Sequence, residues 1–247
     1  MPEPPRDTRA PSFRSASGER VGGDGDQPAP IDCIAAFVLA GGQSRRMGRD
    51  KALLTLAGQP LIARALSTLC VAGLSPAIAG ARTDLSRFAP VIPDPDPGRD
   101  SGLGPLAGIC AALESTTARY AVLFPVDLPL LPPSLIAYLA FHAQITATAV
   151  TVPSICGVAN AFPAVLDRAV LPTLKSELNA GRRGCLAAFR AAARVLGQPV
   201  SAIPVEILAQ SGHAAHPRGL PAAFWFLNVN TPADLGRVTR QFPSQIA

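Results

Sequence analysis

Short apolar runs alternate with longer stretches of helical periodicity over most of this chain. Five runs have the length and composition of buried strands, and they cover residues 34–38, 76–79, 90–92, 120–126 and 145–152. Three stretches repeat apolar side chains at helical spacing, and they cover residues 60–70, 103–113 and 132–142. Strands that alternate with helices in this way predict βαβ units. We therefore expect an α/β fold whose mainly parallel sheet lies between two layers of helices.

The first thirty residues differ from the rest of the chain. Prolines and glycines interrupt them repeatedly, and large apolar side chains are few. Burial in such a segment cannot offset the entropy of ordering it, so we expect residues 1–31 to form a disordered tail and residues 32–247 a single domain. The segment lacks the apolar stretch of a signal peptide, and the chain has no apolar run of about 18 residues. We expect a soluble, cytoplasmic protein with no membrane contact.

Composition narrows the class of ligand only a little. The 247 residues are 48% hydrophobic, which is enough for a substantial core, and the formal net charge is +5. A positive balance favours anionic ligands. Aromatic residues make up 5% of the chain, and no basic stripe is interleaved with them, so nucleic acid is not an expected partner.

The most informative segment is the loop that follows the first predicted strand. Residues 39–51 read L-A-G-G-Q-S-R-R-M-G-R-D-K. Gly41 and Gly42 lack a Cβ, so backbone N–H groups can approach phosphate oxygens, while Arg45, Arg46 and Lys51 supply positive charge. The spacing matches neither the P-loop nor the dinucleotide G-x-G-x-x-G pattern. The segment predicts a site for a nucleoside triphosphate; the alternative is a polar glycine turn between a strand and a helix.

A single aspartate follows another predicted strand. Asp127 lies in F-P-V-D-L-P-L-L-P, where several prolines stiffen the backbone. A carboxylate fixed at a strand end can bind Mg²⁺ and leave other coordination positions to water and phosphate oxygens. In sheets of this kind ligands bind beyond the carboxyl ends of the strands, which is also where the glycine loop begins. We predict a metal role for Asp127; the alternative is a turn or helix-capping aspartate.

The motif N-V-N-T-P at residues 228–232 combines a helix start with two candidate site asparagines. Thr231 and Pro232 are typical of the N-cap and first residue of a helix, with Asp234 at its third position. Asn228 and Asn230 alternate, so on a last strand both side chains would face the same way, toward the site. We predict a structural role for Thr231 and a role at or beside the metal for the two asparagines.

Four motifs occur in the same order as in the molybdenum cofactor guanylyltransferases, and the chain resembles that family over residues 34–238. They are the L-A-G-G-x-S-x-R-M-G-x-D-K loop, G-P-L-A-G-I at 104–109, P-x-D-x-P-x-L at 125–131 and N-V-N-T-P at 228–232. The loop is typical of the wider nucleotidyltransferase superfamily. L-A-G-G, where cytidylyl relatives more often read L-A-A-G, favours the guanylyl branch, as does N-V-N-T-P. The resemblance implies a three-layer, Rossmann-like sheet of the nucleotide-diphospho-sugar transferase type.

The resemblance also implies a reaction. GMP would pass from GTP to the terminal phosphate of molybdopterin or molybdenum-molybdopterin, with release of pyrophosphate and with Mg²⁺ as cofactor. Contacts with GTP would come from Leu39, Ala40, Gly41, Gly42, Lys51, Asp94 and Asp127. Catalytic roles would belong to Arg46, Lys51 and Asp127, and the metal to Asp127. The pterin side or the surroundings of the metal would involve Asn160, Arg182, Asn228 and Asn230.

Two segments and the function itself are left open by the sequence. Relatives often have an asparagine where this chain has Gly80, which leaves one contact with the base or ribose undefined. The segment G-R-R-G at residues 181–184 either cradles the pterin phosphate or forms a solvated turn. A cytidylyl- or sugar-phosphate nucleotidyltransferase would share the loop and Asp127, and a non-catalytic carrier would bind pterin or nucleotide without turnover.

We expect a monomer with transient contacts to proteins of cofactor biosynthesis or molybdoenzyme maturation.

Overall fold

The computed structural model describes residues 34–41, 50–80, 82–92 and 104–242. The predicted tail, residues 1–31, lies outside these ranges and stays a prediction. Strands and helices alternate along the described chain, as the apolar pattern predicts. Within the same ranges, no helix combines the length and the apolar character that a membrane crossing requires.

The strands and helices of the described chain are mostly short. The strands are β1 Ile34–Leu39, β2 Thr55–Leu56, β3 Gln59–Pro60, β4 Pro76–Ala79, β5 Val91–Ile92, β6 Tyr120–Pro125, β7 Val150–Ile155, β8 Val158–Ala159, β9 Ala164–Asp167 and β10 Ser201–Pro204. The helices are α1 Leu61–Val71, α2 Pro105–Glu114, α3 Pro133–Thr146, α4 Leu171–Asn179, α5 Cys185–Val195, α6 Val205–Gln210, α7 Ala222–Trp225 and α8 Pro232–Thr239.

The central sheet has the strand order β10-β7-β9-β6-β1-β4-β5, with β8 paired to β7. β6, β1, β4 and β5 run parallel to one another, and β10 runs parallel to β7. β9 is antiparallel to both of its neighbours, β6 and β7, and β8 is antiparallel to β7. β2 and β3 form a separate antiparallel hairpin. The predicted mainly parallel α/β sheet is confirmed, and β9, which the apolar pattern did not reveal, interrupts it.

Both faces of the sheet are buried, and side chains alternate between two cores. In β1, Ala36 and Val38 face the layer that contains α1 and α3, whereas Phe37 and Leu39 face the layer that contains α2 and α5. β6 alternates in the same way. Strands covered on both faces are apolar throughout, and for this reason β1 and β6 stand out in the sequence.

The strand predicted over residues 145–152 is wrong at its start. Ile145 and Thr146 are the last residues of α3, and Ala147 closes that helix in the left-handed conformation with φ of 50°. The strand itself is β7, Val150–Ile155. The hydroxyl of Thr146 donates to the carbonyl of His142 at 2.7 Å, as threonines in helices commonly do. Alternation of threonine with apolar residues is compatible with either structure, so periodicity alone could not place this boundary.

Candidate functional site

Three neighbouring parallel strands end at the same level of the sheet. Leu39, the last residue of β1, is paired with Ala79 of β4 on one side and with Pro125 of β6 on the other. Just beyond, the N–H of Ala40 donates to the carbonyl of Ala79 at 3.1 Å, and the N–H of Val126 donates to the carbonyl of Leu39 at 3.4 Å. The loops after β1, β4 and β6 therefore leave the sheet side by side at its carboxyl edge, where ligands of such sheets bind.

The segments after β1 and β4 meet through two glycines. Gly80 has a φ of +138°, and a Cβ built there would lie 3.0 Å from the backbone N of Gly41 and 3.2 Å from its Cα. A side chain at position 80 would therefore press on backbone, in a conformation that glycine adopts most readily. The glycine that departs from the family pattern at this position is thus explained by the close approach of Gly41.

Lys51 meets two oxygen-bearing side chains at this edge. Lys51 Nζ is 2.8 Å from Asp127 Oδ2 and 2.5 Å from Asn230 Oδ1. Lys51 opens a short 3-10 helix, Lys51–Leu53, and Asp127 lies in the turn that follows β6. The side chains of Lys51 and Asp127 are 18% and 27% exposed, so their pair is partly shielded from water yet accessible to a ligand.

A backbone hydrogen bond of the neighbouring residue, Val229, places Asn230 beside Asp127. The N–H of Val229 donates to the carbonyl of Asp127 at 2.9 Å, and Val229 is fully buried. Residues 227–230 form no strand, so the predicted last strand is wrong. The alternation that was expected to turn Asn228 and Asn230 the same way does not apply. Of these two asparagines, Asn230 is the one whose side chain bonds Lys51.

Hydrogen bonds at the start of α8 hold the backbone of Asn230. Asp234 Oδ2 accepts the N–H groups of Asn230 and Thr231 at 3.2 and 2.9 Å, and the Thr231 hydroxyl accepts the N–H of Asp234 at 3.2 Å. This capping box confirms the predicted N-cap role of Thr231. Hydrogen bonds hold the pKa of Asp234 below its ordinary value. The bond from the Thr231 side chain has the largest effect, and the bonds from the two backbone N–H groups add to it. Asp234 is therefore an ionised acceptor at neutral pH.

The side-chain oxygens of Asp127 and Asn230 converge on the ammonium of Lys51, and such oxygens can also serve as metal ligands. Carboxylate and amide oxygens suit Mg²⁺, which commonly keeps its remaining positions for water and phosphate. Among the described residues, no group of three or more His, Cys, Asp or Glu side chains could hold a metal ion by itself. The carboxylate of Asp127 and the amide oxygen of Asn230 fit a divalent cation that takes its other ligands from water or phosphate.

The glycine loop is described only at its two ends. Leu39 and Ala40 are buried, and the Leu39 carbonyl and the Ala40 N–H hold the neighbouring strand ends, whereas Gly41 is exposed. A nucleotide contact by this segment would therefore use the Ala40 carbonyl or the backbone of Gly41. The other predicted nucleotide contacts in this region, Gly42, Arg46 and Asp94, lie outside the described residues and stay predictions.

The residues expected on the pterin side make local contacts. Asn160 Nδ2 donates to the carbonyl of Val158 at 3.2 Å. Arg182 is exposed and donates to the Glu177 carboxylate through Nε and Nη2, each at 2.6 Å. Asn228 lines a depression beside α8. Roles of these residues toward a pterin stay predictions.

Two residues near the site did not figure among the sequence-based predictions. Asp50 caps the 3-10 helix that begins at Lys51, and its Oδ1 accepts the N–H of Ala52 at 3.0 Å. Arg82 donates to Asp50 through Nη1 at 3.0 Å and through Nη2, and to Asp84 through Nε at 2.9 Å and Nη2 at 2.8 Å. An aspartate directly before a helix is a capping signal that the sequence does contain. The link between Arg82 and a residue 32 positions earlier leaves no such signal.

Comparison with known proteins decides the family. Residues 36–214 match the model of the MobA-like NTP transferase domain. The chain belongs to this family. The predicted kinship with the molybdenum cofactor guanylyltransferases and the predicted type of fold are confirmed.

Similar proteins carry consistent names. A molybdenum cofactor guanylyltransferase from Rhodobacter capsulatus is 48% identical over 122 residues, which cover 45% of this chain and 62% of that protein. A probable molybdenum cofactor guanylyltransferase from Haloferax mediterranei is 32% identical over 214 residues, which cover 81% of this chain and 90% of that protein. Molybdopterin-guanine dinucleotide biosynthesis protein A from Archaeoglobus fulgidus superposes with a TM-score of 0.66 at 24% identity, over 84% of this chain and 97% of that chain. This structural likeness shows the fold.

Replacing Gly80 by Ala is expected to weaken nucleotide binding, because the new Cβ would push the Gly41 backbone away from the end of β4. The free energy of unfolding should fall by about 1–3 kcal/mol from backbone strain. Gly197→Ala is the matched control, since Gly197 also has a positive φ, +69°, but open space around its Cβ position. Chemical denaturation and binding of a fluorescent nucleoside triphosphate measure the two effects. Equal affinity of both variants would contradict the account of Gly80.

Proposed function

We propose that this chain transfers GMP from GTP to the terminal phosphate of molybdopterin, with or without bound molybdenum, and releases pyrophosphate. An oxygen of the acceptor phosphate bonds to the α-phosphorus of GTP, and the bond from that phosphorus to the oxygen that bridges to the β-phosphate breaks. The names of the R. capsulatus and H. mediterranei relatives support this nucleotide and this acceptor. L-A-G-G at residues 39–42 resembles the guanylyl rather than the cytidylyl members of the superfamily, which favours guanine over cytosine.

The observation that carries the proposal is the meeting of Lys51 with Asp127 and Asn230 at the carboxyl edge of the sheet. Nucleotidyl transfer needs little covalent chemistry from a protein. It needs the triphosphate held in line with the acceptor, and it needs the negative charge that grows on the leaving pyrophosphate to be neutralised. The ammonium of Lys51 supplies positive charge at this edge, where the loop after β1 begins at Gly41. Fixed charge there favours departure of the pyrophosphate.

Asp127 and Asn230 would hold Mg²⁺ through their side-chain oxygens. Bound there, Mg²⁺ supplies Lewis-acid neutralisation of charge on the phosphate oxygens. The ammonium of Lys51 and a second cation would repel each other at the Asp127 carboxylate. Lys51 therefore neutralises Asp127 before the ligands bind and turns to the phosphates when they are present.

The acceptor is proposed to approach at the same edge of the sheet. β9 ends at Asp167, opposite the start of β6, and β10 begins at Ser201, opposite the start of β7. The chain thus enters and leaves the pair α4 and α5 at the amino edge, from which we infer that the turn between these helices lies toward the carboxyl edge. The contact of Arg182 with Glu177 in this turn supports a solvated turn closed by its own ion pair rather than a cradle for phosphate.

Pyrophosphate release tests the nucleotide and the acceptor together. The purified protein with Mg²⁺ and molybdopterin, or molybdenum-molybdopterin, is expected to release pyrophosphate with GTP and not with ATP, CTP or UTP. A reaction without pterin controls for hydrolysis of the nucleotide. Release with CTP instead of GTP would replace guanylyl transfer by cytidylyl transfer. Binding of nucleotide or pterin without release from any of the four would favour a non-catalytic carrier.

Replacing Asp127 by Ala is expected to lower Mg²⁺-dependent turnover by about 100-fold or more, because the charged donor for the metal is lost. The melting temperature should change little, since the backbone carbonyl that bonds Val229 is kept. Glu114→Gln is the matched control; that carboxylate pairs with Lys175, and turnover should stay at the wild-type value. Wild-type turnover in Asp127→Ala would remove Asp127 from the active site.

A further inference from the structure

Arg82 is held between two carboxylates. It donates two hydrogen bonds to Asp50 and two to Asp84, so two edges of its planar guanidinium are each paired with a carboxylate. Its side chain is 24% exposed, and that of Asp50 is 28% exposed. Paired hydrogen bonds of this kind fix an arginine in orientation as well as in position. Arg82 therefore serves as an anchor, because its donors are committed to these carboxylates rather than to a phosphate.

Asp50 links Arg82 to the helix that begins at Lys51. The Asp50 carboxylate accepts the N–H of Ala52 and so caps the 3-10 helix whose first residue is Lys51. The orientation of that helix start determines where the Lys51 side chain begins. From there Lys51 reaches Asp127 at 2.8 Å. A continuous set of contacts thus runs from Arg82 through Asp50 to the ammonium at the site.

The segment after β4 also contacts the other end of the glycine loop. Gly80 approaches the backbone of Gly41, and Arg82, two residues later, binds Asp50. Gly41 and Asp50 flank residues 42–49 of the predicted triphosphate loop. Gly80 therefore lies against one end of that loop and Arg82 bonds the other, and both residues follow the same neighbouring strand, β4.

We propose that Arg82 is a positioning residue that sets the place of Lys51 by holding Asp50. Its kinetic consequences rest on the proposed nucleotidyl transfer, whereas its effect on Lys51 does not. The chain offers a control built in the same way far along the sequence. Arg119 donates to Asp167 at 3.0 Å, and Asp167 caps the 3-10 helix Arg168–Val170 through the N–H of Ala169, with no lysine involved.

The lysines themselves provide a readout that is independent of activity. The sequence contains only two, Lys51 and Lys175, so protein labelled with ¹³C-lysine gives one side-chain signal from the site and one internal reference. Arg82→Gln and Asp50→Asn are each expected to shift the Lys51 signal and leave that of Lys175 in place. Asparagine remains a good N-cap, so Asp50→Asn removes the charge that holds Arg82 while keeping the helix start. Arg119→Gln should shift neither signal.

Steady-state kinetics supply the second readout. Arg82→Gln is expected to lower kcat/KM for GTP by about 10- to 100-fold, as misplacement of a charged group at such a site does. In a Lys51→Ala background the same change should cause no further loss, because the effect passes through Lys51. An unmoved Lys51 signal in both Arg82→Gln and Asp50→Asn, or an equal loss with and without Lys51, would overturn the proposal. If the wild type turns over no nucleotide, the proposed function fails while the lysine spectra still decide the role of Arg82.

Discussion

The pairing of β1 with β4 on one side and β6 on the other is the constraint on which the site depends. Leu39 lies level with Ala79 and Pro125, so three loops leave the sheet together. A slip of one residue would turn the core side chains of β1 to the opposite face. Phe37 and Leu39 would then have to pack where Ala36 and Val38 lie, in a core filled to other volumes. The contact of Lys51 with Asp127, 76 residues further along the chain, follows from this register.

Two cations at this edge have different partners, and the difference suits different tasks. Arg82 lies between two carboxylates and is fixed by paired hydrogen bonds. Lys51 lies between one carboxylate and one neutral amide oxygen, as a compact charge on a flexible stem. In the proposed reaction, a metal ion would be held by the carboxylate of Asp127, and Lys51 would then turn to the phosphates. The arginine holds the framework, and the lysine lies where a ligand at this edge would meet it.

Much of this arrangement could be predicted from the sequence, and the remainder could not for physical reasons. Strands buried on both faces are visible as apolar runs, which gave β1, β4 and β6, and the ends of β1 and β6 pointed to Lys51 and Asp127. Asn230 was predicted near the metal, but on a strand that does not exist, because the buried Val229 and the helix cap hold it instead. The antiparallel β9 and the link from Arg82 to Asp50 depend on contacts between distant segments, which local patterns do not encode.

In the proposed reaction, the Lys51 ammonium leaves Asp127 for the triphosphate when a metal ion and nucleotide bind. This movement can be followed by titrating ¹³C-lysine-labelled protein with Mg²⁺ and a GTP analogue that cannot be cleaved between the α- and β-phosphates. The Lys51 signal is expected to move when both ligands are present, while the signal of Lys175, paired with Glu114, stays in place. A Lys51 signal that does not move at saturation with both ligands, as judged by calorimetry, would contradict it.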